Sequence, residues 1–309
     1  MLGTFTVEEA LRRGHGVSAM ARTPRESNQV HWLTFDVTRL TEAELAQACR
    51  EHDAVVYSLG LDDRQPHPRP SYPLFYEDHV TVCARVARAA RDAGVKKFVV
   101  YGSYFTHFDH TMPELALAQH HSYVRSRCAQ RDAVLALTRP GFETYVLELP
   151  YIIGSLPNAV PPWTFLFTML TGPLALFFTR GGTAAVTAHQ VAQAALGAIE
   201  GTAPSGAYAL GGVNWTWLEW ARRFFAAAGL HKRVFRLPSF AFVLFGAISG
   251  AFLALRGQER GLAIAPFAKL QYANAFIDPA PAQRALGYPH DDYDAELKTL
   301  VTRWLALRR

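Results

Sequence analysis

Hydrophobic positions in the first half of the chain follow two alternating patterns. Short apolar runs typical of buried strands alternate with longer stretches in which apolar residues recur at helical spacing. The runs predict strands at residues 17–21, 30–37, 53–59, 95–103 and 144–153, the last interrupted by Pro150. The stretches predict helices at residues 4–13, 41–51, 76–93 and 123–137. Strands that alternate with helices indicate an α/β fold in which a parallel sheet is covered on both faces.

The alternation of strand and helix patterns becomes less regular after Gly154. Pro157, Pro161 and Pro162 predict a domain boundary there. Beyond it, the spacing predicts a strand and turn at residues 208–212. The predicted helices of this half cover residues 188–199, 216–228 and 294–307. Residues 62–73 and the histidine-rich stretch between Ser103 and Tyr123 are predicted to be loops. We therefore expect one large domain followed by a smaller, mostly helical one.

Two stretches of the second half, residues 163–178 and 240–255, are strongly apolar. Each is shorter than the roughly 20 residues that a bilayer-spanning helix needs. Pro173 interrupts the first, and Gly246 and Gly250 dilute the second. We expect buried helices or an apolar lid over a substrate in preference to a membrane span.

Composition narrows the classes of function. The net charge of the 309 residues is +5, and the arginines are scattered, so the chain lacks the basic run expected of a nucleic-acid partner. Charged residues from position 8 onward interrupt the start, which argues against a secretory signal. The three cysteines, without a Cys-x-x-Cys pair, indicate reduced thiols and a cytoplasmic protein.

Candidate chemistry lies on the helix after the strand at residues 95–103. Tyr123 and Arg127 are four residues apart and share one face of this helix. A cation favours the tyrosinate form, and a tyrosine held this way can exchange a proton with a substrate hydroxyl or carbonyl. The alternative is a surface tyrosine stacked on an arginine.

Several short motifs occur in one order along nearly the whole chain. They are Leu-Arg-Arg-Gly-His-Gly-Val at residues 11–17, Asp36-Val37-Thr38, Tyr57-Ser58-Leu59-Gly60, Asp-Ala-Gly-Val-Lys-Lys-Phe-Val at residues 92–99, Ser103, Leu149-Pro150-Tyr151 with Gly154, and Ala285-Leu286-Gly287-Tyr288. In this order they resemble the extended short-chain dehydrogenase/reductases, which include sugar epimerases and dehydratases, dihydroflavonol reductases and 3β-hydroxysteroid dehydrogenases.

The resemblance implies a Rossmann-type doubly wound parallel sheet in residues 1–154 and a smaller, mostly helical substrate region in residues 155–309, with residues 183–200 returning to the first domain. It implies Ser103, Tyr123 and Arg127 as catalytic residues. The implied cofactor-binding residues are Gly3, Asp36, Val37, Leu59, Gly60, His79, Tyr123, Arg127, Pro150 and Ile153. His79 occupies a position where many members of the family have Asn.

The chain departs from the family pattern in three places. Arg127 replaces the usual Lys, and Leu149 replaces an Arg with shorter spacing to Gly154. Gly3 fits the last glycine of the family's Gly-x-x-Gly-x-x-Gly, but the first strand and the first two glycines are not found. We therefore predict a sheet whose centre lacks this strand, so that residues 17–21 and 53–59 are not bridged. Because such a gap leaves unpaired backbone groups, we expect the working protein to begin upstream of Met1; the rival idea is a relic that binds no cofactor.

Cofactor choice depends on the end of the second strand of the family fold, where NAD-selective members carry an acid. Here Arg22 and Arg25 suit a 2′-phosphate, which favours NADP over NAD. The alternative is that both are solvated loop charges. No metal site is predicted from the histidine-rich stretch, which we expect to line the substrate cleft.

Two functions follow from the resemblance. One is an NAD(P)-dependent oxidoreductase or epimerase that acts on a secondary alcohol or ketone, and the other is a dinucleotide-binding sensor or scaffold with little or no turnover. The apolar residues 156–182 and 238–266 lean towards a hydrophobic small-molecule substrate. A homodimer fits this class, and contact with a membrane surface is a lesser expectation.

Overall fold

The structure is a computed structural model that describes residues 1–63, 65–157, 159, 164–172, 176–178 and 180–307. The strands are β1 (Val17–Ala21), β2 (Val30–Thr34), β3 (Ala54–Tyr57), β4 (Pro66–Pro68), β5 (Lys97–Tyr101), β6 (Glu143–Glu148), β7 (Tyr151–Ile153), β8 (Leu176–Phe177), β9 (Gly182–Thr187), β10 (Gly206–Ala209), β11 (Val213–Thr216), β12 (Phe235–Arg236), β13 (Gln258–Arg260) and β14 (Asn274–Ala275).

The α-helices are α1 (Leu2–Arg12), α2 (Glu42–Cys49), α3 (Tyr72–Tyr76), α4 (Cys83–Asp92), α5 (Tyr104–Thr111), α6 (Leu117–His120), α7 (Ser122–Leu135), α8 (Thr164–Thr171), α9 (Ala188–Glu200), α10 (Trp217–Ala228), α11 (Ser239–Leu255), α12 (Ile264–Gln271), α13 (Ala280–Leu286) and α14 (Tyr293–Ala306). A π-helix covers Glu77–Val82 and joins α3 to α4, and a 3₁₀ helix covers Pro113–Leu115.

The central sheet is parallel and has the strand order β10-β6-β5-β3. Phe98 and Val100 of β5 pack among α2, α4 and α7 on one face, whereas Val99 and Tyr101 pack with α9 and α13 on the other. This alternation buries both faces of the sheet, as expected of parallel strands. The predicted α/β class with a Rossmann-type sheet is confirmed.

The sheet is interrupted where the sequence predicted a gap. β1 pairs with β2 in a separate two-stranded parallel sheet, and β3 pairs with β5. Among the residues that the structure describes, no strand joins β1 to β3. All five β1 residues are partly exposed, unlike the buried β5 strand. The prediction that residues 17–21 and 53–59 are not bridged is confirmed.

The second half of the chain adds elements to the central sheet and also forms a second sheet. β10 extends the central sheet, and α9 packs against α1 and β5. β7, β11 and β14 pair with β9 in a second sheet. Beside this sheet lies an aromatic core that includes Trp215, Trp217, Phe224 and Trp304.

Three sequence predictions need correction. The stretch between Ser103 and Tyr123 is mostly helical, in α5 and α6, and residues 62–73 contain β4, which pairs with the distant β13. For residues 240–255 a buried helix is wrong, because most of the large side chains of α11 are exposed, whereas the alternative of an apolar lid stays a prediction. The strand predicted at residues 144–153 is interrupted at Pro150 as expected and is divided into β6 and β7. No helix in the described ranges is long and apolar enough to cross a membrane.

Two other predictions fall partly outside the described residues. The predicted domain boundary includes Pro161 and Pro162, which lie outside the described residues. Pro157, the third proline of this boundary, lies in a turn that the structure describes. The apolar stretch at residues 163–178 is described only for α8, Gly172 and residues 176–178.

Candidate functional site

Tyr123 lies near the start of α7, at the edge of the sheet where β5 ends. Ser103, two residues after β5, begins α5 and accepts a hydrogen bond from the Phe105 amide at 3.5 Å. The Ser103 hydroxyl is close enough to the Tyr123 phenol to lower the pKa of that phenol. The structure therefore brings these two predicted residues together at the carboxyl edge of the sheet, where open α/β folds bind ligands.

Arg127 is buried beside Tyr123, with its guanidinium carbon 5.6 Å from the centre of the tyrosine ring. Its Nη2 donates to the Tyr101 carbonyl oxygen at 2.7 Å. Within the described part of the chain, Nε and Nη1 have no hydrogen-bond partner although both are buried. A buried donor without a partner costs about 1–3 kcal/mol, so two such donors on one guanidinium make Arg127 a candidate for binding a ligand.

Gly60 borders this guanidinium. A Cβ atom at Gly60 would lie 3.3 Å from Arg127 Nη1 and 3.5 Å from His79 Nε2. The absence of a side chain keeps the backbone after β3 close to both residues.

Burial raises the pKa of the Tyr123 phenol above its ordinary value, which favours the protonated form. Arg127 and the Ser103 hydroxyl lower the pKa, as expected for a cation and a hydrogen-bond donor, whereas Asp63 and Asp62 raise it. The arginine therefore acts in the direction predicted from the sequence, but desolvation outweighs it. The arrangement suits a tyrosine that donates a proton.

His79 joins the loop after β3 to α7. Its Nε2 accepts a hydrogen bond from the Leu61 amide at 3.1 Å, so Nδ1 carries the proton and donates to Ser126 Oγ at 2.9 Å. Ser126 Oγ in turn donates to the Tyr123 carbonyl oxygen at 2.7 Å. Burial, followed by the charge of Arg127, lowers the pKa of His79 to about 2, so the ring is neutral.

The predicted adenine-side residues lie at the ends of β1 and β2. Asp36 accepts hydrogen bonds from the Thr38 amide at 3.1 Å and the Thr38 hydroxyl at 2.7 Å, which lower its pKa. Arg22 is exposed, and its charge acts on Asp36. The Arg25 guanidinium lies over the Trp32 ring at 5.2 Å, so this cation has an aromatic partner.

The remaining predicted residues differ in accessibility. Leu59 is exposed, and Val37 packs partly buried against the core next to α2. A Cβ atom at Gly3 would lie 3.0 Å from Ser58 Oγ, which fits a glycine that allows α1 to pack closely on the segment after β3. Pro150 is buried, and Ile153 is fully buried in the aromatic core.

The N-terminal part of the chain has recognisable sequence relatives. Residues 1–140 match a family model described as NAD(P)H-binding. Residues 1–140 therefore have the sequence features of an NAD(P)H-binding domain. The match spans less than half of the 309 residues, and the resemblance to the extended short-chain dehydrogenases/reductases stays a prediction. No curated protein sequence matches the chain.

Solved structures with the same fold include NAD-bound enzymes. The crystal structure of gox2253 is 17% identical, covers 100% of this chain and 96% of its own, and has a TM-score of 0.77. The Bordetella bronchiseptica enzyme WbmH in complex with NAD⁺ is 15% identical, with coverage of 98% and 95% and a TM-score of 0.69. UDP-glucose-4-epimerase from Stenotrophomonas maltophila, with bound NAD and formylated UDP-arabinopyranose, is 17% identical, with coverage of 100% and 96% and a TM-score of 0.68.

Several residues of the histidine-rich segment make contacts within the fold. Asp109 accepts a hydrogen bond from the Ala118 amide at 2.8 Å, and His121 Nδ1 accepts one from the Ala263 amide at 3.1 Å. His107 lies 4.0 Å from the buried Glu148 carboxylate. No group of residues that could hold a metal ion occurs within the described ranges.

Some residues around Tyr123 were not found from the sequence. Gly261, far along the chain, accepts a hydrogen bond from the Tyr123 amide at 3.2 Å. The Phe75 ring lies 5.8 Å from the Tyr123 ring and would be 2.5 Å from a Cβ atom at Gly261. Asp78 accepts from the Leu61 amide at 2.7 Å, next to His79. Asp78 could have been found from the sequence, because it is next to the predicted His79. Gly261 could not, because it is brought to Tyr123 by the pairing of β13 with β4, which are far apart in the chain.

Proposed function

We propose that the protein is an NAD(P)-dependent oxidoreductase or epimerase that acts on a secondary alcohol or ketone. The observation that carries this proposal is the buried Arg127, whose Nε and Nη1 lack partners among the described residues, beside Tyr123 and Gly60. Two open donors at the edge of a dinucleotide-binding fold fit the hydroxyl groups of a coenzyme ribose. The residues present therefore fit a nicotinamide coenzyme at this position.

When bound, a nicotinamide coenzyme supplies or removes a hydride. Arg127 would hold the ribose through its open donors and limit the rise of the Tyr123 pKa. Tyr123 would donate its proton to the carbonyl oxygen of a ketone, and Ser103 would hold that oxygen in place. His79 and Ser126 would keep the start of α7 in register with the loop after β3.

A cavity of about 320 Å³ is our candidate for the substrate, since it borders Ser122, the neighbour of Tyr123. Its other walls come largely from α11, α12 and β13, which agrees with a substrate-binding role for residues 155–309. One structural neighbour carries a UDP-sugar together with NAD, so nucleotide sugars belong in the test with hydrophobic ketones.

The exchange of Tyr123 for Phe tests the chemistry. Phe keeps the ring but removes the transferable proton, so turnover should fall by roughly 10²–10⁴-fold while coenzyme binding survives. The measurement is NADPH or NADH oxidation with a panel of ketones, oxosteroids and nucleotide sugars, and epimer analysis of the sugars. The matched control is Tyr208→Phe on β10, whose hydroxyl contacts the Pro204 carbonyl and should not affect turnover. Unchanged activity in Tyr123→Phe would remove the tyrosine from the mechanism.

We further infer a preference for NADP, supported by the exposed Arg22 and Arg25 at the end of β1. Wild type should bind NADPH more tightly than NADH, and Arg22→Ala should reduce that ratio about tenfold, because one charge-assisted contact to the 2′-phosphate is lost. Calorimetric titration of both coenzymes measures the ratio, with Arg50→Ala as the control at an exposed arginine outside this region. Equal affinities in wild type and Arg22→Ala would contradict the preference.

A dinucleotide-binding sensor or scaffold is the second candidate. The interrupted sheet favours it, since β1 and β3 border the region where the coenzyme would lie. Tight coenzyme binding without turnover of any substrate in the panel would place this function ahead of the enzyme.

A further inference from the structure

The helix α11 presents an unusually apolar outer face. Its seventeen residues include no charged side chain. The exposed large hydrophobic residues on it are Phe240, Val243, Leu244, Phe245, Ile248, Phe252 and Leu255, with exposed fractions between 41% and 88%. At about 1.5 Å per residue, the helix forms a hydrophobic ridge about 25 Å long. Exposed apolar surface of this extent marks an interaction site.

The opposite side of α11 is already packed, so the ridge does not serve the core. A Cβ atom at Gly246 would lie 2.6 Å from the Ala265 backbone nitrogen of α12, and Leu253 is buried. The two helices are therefore in close contact along the inner side. The residues that the structure describes leave the outward face of α11 uncovered.

Cations border both ends of the ridge, and Glu259 of β13, near the C-terminal end of α11, is paired with Arg69 at 3.3 Å. Residues 220–258 contain no Asp or Glu, and the exposed Arg233, Arg236 and Arg256 flank the two ends of α11. Arg236 lies in β12, which pairs with β8, and residues 149–199 around β8 contain no acidic residue either. The Arg256 guanidinium lies over the Phe252 ring at 4.1 Å, so a cation borders the apolar face directly.

We propose that this face docks onto an anionic lipid bilayer, with α11 lying in the plane of the membrane surface. An apolar helix face bordered by cations is the combination that binds interfacially, through burial of apolar area and attraction to acidic headgroups. A second copy of the chain fits less well. In a twofold contact the same surface meets itself, so the arginines at the ends of α11 would come close to their own copies.

Vesicle flotation with the full chain tests the proposal. Wild type should float with vesicles of phosphatidylcholine mixed with phosphatidylglycerol and should bind pure phosphatidylcholine vesicles at least about tenfold more weakly. The double variant Phe245→Gln, Ile248→Gln should lose about tenfold or more in partition coefficient. The matched control, Leu74→Gln with Leu307→Gln, removes two exposed side chains elsewhere and should bind like wild type.

The charge component is tested separately with Arg233→Glu and Arg236→Glu. This pair should reduce partition to the phosphatidylglycerol vesicles about tenfold or more, whereas Arg50→Glu should not. Circular dichroism and unfolding midpoints establish that each variant is folded before binding is compared.

Two outcomes would overturn the docking surface. One is wild type that fails to float with the anionic vesicles. The other is a dimer, measured by light scattering, that dissociates in Phe245→Gln, Ile248→Gln, which would assign the ridge to a second copy. Neither outcome depends on coenzyme or turnover, so this proposal and the enzymatic one fail independently.

Discussion

At the scale of single residues, Tyr123 is held between groups with opposite effects on its protonation. Burial raises its pKa, and Arg127 and Ser103 limit the rise. A lysine at position 127 would place a compact charge here, whereas the planar guanidinium reaches the Tyr101 carbonyl and still presents two other nitrogens. The arginine can therefore combine a structural bond with a binding role.

His79 makes the stability of the folded protein depend on pH. Its ring is fully buried and neutral, and its pKa of about 2 lies below the value of about 6.5 for an unfolded histidine. Between these values the unfolded chain binds the extra proton, so His79 contributes stability above about pH 6.5 that is lost as the pH falls. In a protonated ring Nε2 would carry a hydrogen, so it could no longer accept the hydrogen bond from the Leu61 amide.

Replacing His79 with Asn should flatten this dependence. Between pH 7.5 and 5.5, wild type should lose about 1.4 kcal/mol of unfolding free energy more than His79→Asn, because Asn does not titrate. Urea unfolding at the two pH values measures the difference, with the exposed His231→Asn as control. If wild type and His79→Asn lose the same free energy, His79 is not the source of the acid sensitivity.

At the scale of elements, α11 has glycines with opposite surroundings. Gly246 is in contact with the α12 backbone, while no heavy atom lies within 4 Å of the Cβ position at Gly250. Both lie inside the same helix, so their intrinsic helix propensities are equal. The difference between the stability effects of substituting the two glycines therefore reports the packing of α11 on α12.

Alanine at these two positions should have opposite effects. Gly246→Ala should destabilise the protein by about 1–3 kcal/mol, because backbone atoms of α12 must move. Gly250→Ala should stabilise it by about 0.5–1 kcal/mol, since the helix gains propensity without a clash. Thermal or urea unfolding measures both. A neutral Gly246→Ala would mean that α11 and α12 are not in close contact.

At the scale of the whole molecule, the interrupted sheet divides the nucleotide-binding region. β5 and β6 lie inside a four-stranded sheet with both faces covered, whereas β1 and β2 form a pair of their own. Stability should therefore differ across the domain, because fewer buried contacts hold the outer pair.

Hydrogen exchange should detect this division. Amides of residues 17–21 and 30–34 should exchange faster than those of residues 97–101 and 143–148, as followed by mass spectrometry. Added NADPH should slow exchange in the first two segments if Arg22 and Asp36 contact it. Equal protection of all four segments without coenzyme would show that the separate pair is as stable as the central sheet.

The sequence determined what depends on local spacing. Strand and helix alternation predicted the α/β class, and the strand Lys97–Tyr101 lies within the predicted residues 95–103 because a buried strand has a clear apolar run. The capping box at Thr41 starts α2 as expected. Helical periodicity placed Tyr123 and Arg127 on one face, and the motif order indicated the gap between β1 and β3.

Tertiary structure decided what depends on residues far apart in the chain. Burial outweighs Arg127 in setting the Tyr123 pKa, and that burial involves Phe75 and Gly261, which no local pattern connects to α7. The apolar composition of α11 was visible in the sequence, but the side that faces solvent was fixed by the contact of Gly246 with Ala265. Composition gives the hydrophobicity of a helix, and only the position of its neighbours determines which side they cover.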